Sequence, residues 1–135
     1  HAVTIQTKYG ASLPQVHAEP TEIGQVIINV VQNAIDSINA ANAKVRVVRI
    51  SCRRNRELVE VEITDTGPGF GGGDLNRLFD QFYTTKPGGL GLGLSISRSL
   101  IESNGGTMVA APTPRGASIR FTLPVASLRR GRRTS

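Results

Sequence analysis

The stretch Glu19-Pro20-Thr21-Glu22-Ile23-Gly24-Gln25-Val26-Ile27-Ile28-Asn29-Val30-Val31-Gln32-Asn33-Ala34-Ile35-Asp36 decides the fold. Proline fits the first turn of a helix, where its missing N–H costs nothing. Ile23, Val26, Ile27, Val30, Val31, Ala34, Ile35 and Ile38 then follow the three-four spacing of a helix with one buried face. Gln25, Asn29, Gln32, Asn33 and Asp36 make up the opposite, polar side. Asparagine is a poor helix former, so Asn29 and Asn33 one turn apart call for an explanation. An amide oxygen is a neutral, hard ligand that suits Mg²⁺, a cation that keeps several waters and takes phosphate oxygens. Plain solvent exposure explains the pair equally well at this point.

Strand patterns lie on both sides of this helix. Val3, Ile5 and Thr7 alternate with polar residues, as in an edge strand, and Leu13 to Val16 suggests a second short strand. Val45 to Ser51 and Leu58 to Ile63 alternate around the polar Arg53-Arg54-Asn55-Arg56, which predicts a hairpin. Leu75 to Phe82 is expected to be a short helix. Gly91 to Ser103 is expected to be a longer one, ending at Asn104-Gly105-Gly106 in a left-handed cap. Thr107 to Ala111 and Ala117 to Leu123 complete the set around a turn at residues 112–116. The pattern predicts an α+β fold: a two-layer sandwich, its mixed sheet mostly antiparallel, with helices on one face.

Composition narrows the function. The chain has 135 residues, enough for a single core without a disulfide or metal staple, and one cysteine, Cys52, cannot close an internal disulfide. A reducing compartment is expected. No apolar run approaches the ~20 residues of a membrane span, so neither direct membrane insertion nor a signal peptide is expected. Of the net charge of +6, four charges sit in Arg129, Arg130, Arg132 and Arg133, a basic tail at 127–135 set apart from a domain at 1–126. Arg46, Arg49, Arg53, Arg54 and Arg56 form a second basic group, read as a solvated strand face, with an acidic partner or nucleic acid as the alternative. No aromatic residue interleaves with these arginines, so nucleic acid is not an expected partner.

Two glycine-rich stretches carry the chemistry. Asp65-Thr66-Gly67-Pro68-Gly69-Phe70 follows an apolar strand directly. A carboxylate there only accepts hydrogen bonds, so it favours adenine, whose amino group donates, over guanine, whose oxygen repels it. An ordinary turn is the competing reading. Gly88-Gly89-Leu90-Gly91-Leu92-Gly93-Leu94 leads into a helix, where backbone N–H groups make an anion site. It matches neither G-x-x-x-x-G-K-[ST] nor a glycine turn after a βαβ opening strand.

Four blocks in one order carry a resemblance: Asn29-Val30-Val31-Gln32-Asn33-Ala34; Asp65-Thr66-Gly67-Pro68-Gly69; Leu78-Phe79-Asp80-Gln81-Phe82-Tyr83-Thr84-Thr85-Lys86; and Gly89-Leu90-Gly91-Leu92-Gly93-Leu94. Together they resemble the N, G1, F and G2 boxes of the catalytic, ATP-binding domain of sensor histidine kinases. The Phe-Tyr-Thr-Thr-Lys block is most similar to the oxygen-, nitrogen- and dicarboxylate-responsive kinases. The likeness runs from Ala2 to Pro124. It implies the Bergerat α/β sandwich and the cofactors ATP and Mg²⁺. By the same resemblance, Asn33 would bind Mg²⁺, with Asn29 beside it at the nucleotide. Asp65 would take the adenine amino group, with Gly67 and Gly69 next to the base and Ser118 assisting Asp65 through water. Gly89, Gly91, Leu92 and Gly93 would line the phosphates, with Lys86 a further phosphate contact. Phe79 and Phe82 would anchor a mobile lid at about residues 71–89, expected to be disordered without nucleotide.

Two departures refine that expectation. Hydrolytic relatives carry a glutamate four residues before the metal asparagine; here that residue is Asn29, and an amide cannot take a proton from water at neutral pH. A phosphoryl donor therefore fits better than an ATP hydrolase. Leu90 replaces a residue that is a hydroxyl in many kinases, so weaker phosphate binding is the most it should cause. His1 and His17 are the only histidines, and neither has the family's acceptor setting. The expectation is an excised catalytic domain, cytoplasmic, acting on a histidine of a separate dimerisation domain. That histidine would then supply a response-regulator receiver domain. A degenerate, non-catalytic binding module and a hydrolytic relative are the alternatives.

Overall fold

The computed structural model describes residues 2–67, 79, 93–114 and 116–126. Five strands, β1 (Thr4–Tyr9), β2 (Val47–Asn55), β3 (Leu58–Asp65), β4 (Met108–Thr113) and β5 (Gly116–Pro124), form one sheet in the order β1-β2-β3-β5-β4. Two helices, α1 (Pro20–Ala41) and α2 (Gly93–Ser103), complete the described elements. Only β1 and β2 pair in parallel; the other three pairings are antiparallel. The expected two-layer arrangement holds.

α1 starts and stops where its end chemistry dictates. The Glu19 carboxylate accepts the Glu22 N–H at 2.7 Å, capping one of the helix's free donors. At the far end Asn42 adopts a left-handed backbone, with φ of 50°, and the Asn42 and Ala43 N–H groups bond back to Asn39 and Ile38. α2 ends the same way: Gly105 has φ of 84°, and the N–H groups of Gly105 and Gly106 reach Glu102 and Ile101. This is the cap read from Asn104-Gly105-Gly106.

The period-two pattern of the strands places the core. Val48, Val61, Ile63, Ile119, Phe121, Leu123 and Met108 point to one face and pack with Val26, Val30, Ala34, Ile38 and Ile101 of the helices. Burying an aliphatic or aromatic side chain of this size contributes roughly 2 kcal/mol. The opposite face carries charges. Arg53 pairs with Glu60 at 2.7 Å and Arg120 with Glu62 at 3.1 Å. Arg49 donates to Gln6, and Arg54 to the Arg56 carbonyl. The basic group around residues 46–56 is thus largely a solvated, locally paired strand surface.

Several expected boundaries shift. The hairpin strands run further than their alternation suggests: Asn55 pairs with Leu58, leaving only Arg56 and Glu57 as the turn, with Arg56 at φ of 58°. Likewise Thr113 pairs with Gly116 inside the expected 112–116 turn. Leu13 to Val16 supplies only an isolated bridge, Val16 to Val125. β1 is an edge strand as expected, but all six of its residues are exposed, because α1 covers β2 and β3. The helix expected at Leu75 to Phe82, the lid and the tail lie outside the described residues, apart from Phe79.

Candidate nucleotide site

The two helices run antiparallel, and their side chains fix the register. At one end Asn104 accepts the Glu19 N–H and donates to Glu22, both at 2.8 Å. Two turns further along α1, Asn29 Nδ2 donates to Ser97 Oγ of α2 at 3.3 Å. Asn33 lies one turn further along α1. The next turn of α1 meets the loop after β3. A Cβ placed on Gly67 would sit 3.1 Å from Ser37 Oγ and 3.4 Å from the Ile38 nitrogen. Turns of one helix, each about 5.4 Å in rise, thus face first α2 and then, two turns on, the Asp65 loop.

Asp65 is the last residue of β3, half-buried, and its Oδ1 accepts the Gly67 N–H at 2.8 Å. Burial pushes its carboxyl above the ordinary aspartate value, and the Gly67 bond offsets part of that rise. The second carboxylate oxygen, Oδ2, can accept from a ligand. Thr66 holds this loop to the sheet: its Oγ1 accepts the Val47 N–H at 3.0 Å and donates to the Val45 carbonyl at 2.7 Å. The sequence pattern assigns Thr66 no role of its own; its position just after a strand is the available signal.

Asn29 is held by side chains of both helices. Its Oδ1 accepts Gln25 Nε2 at 2.9 Å while its Nδ2 faces Ser97. Phe79 packs against the core, with Arg98 of α2 over its ring at 4.7 Å from the centroid. Gly93 is the first residue of α2, two residues after the expected start at Gly91. Gly69, Phe82, Lys86, Gly89, Gly91 and Leu92 lie outside the described residues.

Ser118 requires a correction. Asp65 pairs with Ala117, and Thr64 pairs with Ser118. Side chains alternate between faces along a strand, so Ser118 points away from Asp65. Its Oγ donates to Glu62 Oε2 at 2.8 Å on the charged face. There, burial alone would raise the Glu62 carboxyl, but the bonds from Ser118 and Arg120 outweigh it and hold it below the ordinary value. Ser118 therefore serves the outer face of the sheet and does not assist at Asp65.

The α/β sandwich thus sets a half-buried acceptor at a strand end beside an amide-bearing helix, with a second helix packed along it. The family of histidine kinase-, DNA gyrase B- and HSP90-like ATPases matches residues 18–127, and the chain belongs to it. Sensor protein FixL of Bradyrhizobium diazoefficiens is 42% identical over 118 residues, covering 87% of this chain and 23% of that protein. Sensor histidine kinase ZraS of Escherichia coli is 32% identical, over 90% of this chain and 26% of its own length. Among solved structures, the catalytic domain of histidine kinase ThkA superposes with a TM-score of 0.78 at 31% identity, covering 91% of this chain and 79% of that one. The chain spans between 13% and 26% of the length of these and other similar curated relatives. No helix among the described residues is long and apolar enough to cross a membrane.

Proposed function

We propose that this chain binds ATP with Mg²⁺ and offers the γ-phosphoryl group to a histidine outside the chain, as the catalytic domain of a sensor histidine kinase. The observation that carries this reading is the arrangement along α1: Asn29 bonded to Ser97 of α2, and Ser37, two turns on, against the Asp65 loop, with Asn33 on the turn between them. One helix spaces the base acceptor from the phosphate end. Asp65 would take the adenine amino group, and Gly67 lets the backbone approach the base. The start of α2, with Gly89, Gly91, Leu92 and Gly93, would offer N–H groups to phosphate. Lys86 would add a charge there, and Phe79 and Phe82 would anchor the intervening segment.

The donor set suits a metal that arrives with the nucleotide. Among the described residues no group of three or more His, Cys, Asp or Glu could hold an ion. Asn33 can supply one amide oxygen, so phosphate oxygens and water would fill the other positions of an octahedral Mg²⁺. When bound, that ion neutralises phosphate charge as the phosphoryl group leaves. The chain's own share is orientation. Asn29, bonded to Gln25 and Ser97, is an amide with no capacity to deprotonate water, which supports a phosphoryl donor over a hydrolase. The acceptor histidine belongs to a dimerisation domain of the same kinase. A response-regulator receiver domain takes the group onward, and both act in the cytoplasm.

Asn33→Ala tests this directly. ATP–Mg²⁺ binding should weaken about tenfold, adenosine binding should hold, and Mg²⁺-dependent phosphotransfer to a supplied dimerisation domain should be lost. Undiminished Mg²⁺-dependent transfer in this variant would remove Asn33 from the metal.

A further inference from the structure

Ser97 is a polar residue in an apolar position. It is 0% exposed, in the helix interface near Leu94, Leu100 and Ile101, where alanine or valine would pack without a hydrogen-bonding demand. A buried hydroxyl needs a partner, and its partner here is Asn29 Nδ2 at 3.3 Å. Asn29 also accepts from Gln25 Nε2 at 2.9 Å. A carboxamide has a donor end and an acceptor end and can turn over by rotation about its last bond. Ser97 on one side and Gln25 on the other fix Asn29 with its N–H₂ toward α2. The same bond ties α1, one turn before Asn33, to α2, one turn after Gly93.

We infer that Ser97 is a positioning residue for the phosphate half of the nucleotide site: its hydroxyl orients Asn29 and holds the Asn33 turn of α1 against the start of α2. This rests on the proposed ATP–Mg²⁺ reading and adds a residue to it. Asp65 lies at the other end of the site, so the base half should not depend on Ser97. A role in packing alone would affect both halves together.

The test is calorimetry on the full chain with two probes, ATP–Mg²⁺ and adenosine, for the unaltered protein, Ser97→Ala, Asn29→Ala and the double variant. Ser97→Ala should weaken ATP–Mg²⁺ binding about fivefold and leave adenosine binding within about twofold. The double variant should bind ATP–Mg²⁺ no more weakly than Asn29→Ala alone, because the two residues act through one bond. Equal losses for both probes, additive losses in the double variant, or unchanged ATP–Mg²⁺ affinity in Ser97→Ala would each overturn the assignment. Failure of the unaltered chain to bind ATP–Mg²⁺ would overturn the underlying reading, and the Ser97 role with it.

Discussion

Asp65→Asn is expected to weaken ATP binding by at least about 100-fold while the protein melts at the same temperature or slightly higher. The two halves of this result have one cause. The carboxylate is half-buried, and burial raises its pKa above the ordinary aspartate value. A group with a raised folded pKa contributes stability below its unfolded pKa and loses it as pH rises through the folded one. At neutral pH the ionised Asp65 is therefore a net cost to the fold. Asparagine removes that cost and keeps an oxygen for the Gly67 N–H. Yet it replaces the second acceptor oxygen with an N–H₂ donor, which would oppose the adenine amino group. Adenosine affinity in the unaltered protein should also fall on acidification through the raised pKa, because a protonated carboxyl donates where the base needs an acceptor. Calorimetry with ATP, GTP and adenosine reads the binding, and a thermal melt reads the fold. Unchanged ATP affinity would end the adenine role. A melting point lowered by several degrees would make Asp65 a support of the loop.

What the sequence disclosed and what it hid differ in kind. α1 was legible because its pattern is local: proline at the first turn, eight apolar residues at helical spacing, amides on the other side. The cap at Asn104-Gly105-Gly106 was legible for the same reason, since only a residue tolerant of positive φ ends a helix that way. Ser118 was misplaced because its role depends on cross-strand register. One position along β5 exchanges the helix face for the charged face, and no local pattern says which residue meets Asp65. Ser97 was hidden because a serine near the start of a helix looks like solvent-facing polarity until a second helix buries it. Turn lengths were overestimated where polar residues such as Arg53 and Arg54 remain paired in the sheet with their side chains in water.

Gly116→Ala is expected to be strongly damaging, as a methyl at Gly106 would be, but at Gly116 the change acts on fold and site together. In sequence this glycine marks a turn, but its backbone does not need positive φ. What it needs is space. A Cβ at Gly116 would lie 2.0 Å from the Asp65 carbonyl oxygen, 2.9 Å from that carbonyl carbon and 3.2 Å from the Gly67 oxygen. All three are backbone atoms, so no side-chain rotation relieves the overlap. Either β5 peels from β3 at its start, or the end of β3 moves and takes the Asp65 loop with it. The cost should be about 3 kcal/mol or more, seen as a melting point lower by roughly 10 °C. ATP binding should fall at least about tenfold in the protein that remains folded, because Asp65 shifts with its own carbonyl. Gly24→Ala supplies the reference. A Cβ there meets nothing within 4 Å, in the first turns of α1, so the same added methyl should be neutral or stabilising by roughly 0.5–1 kcal/mol. If Gly116→Ala melts like the unaltered protein and binds ATP normally, the close crossing of β5 over Asp65 does not hold the site. Loss of binding at an unchanged melting point would show that β3, rather than β5, gives way.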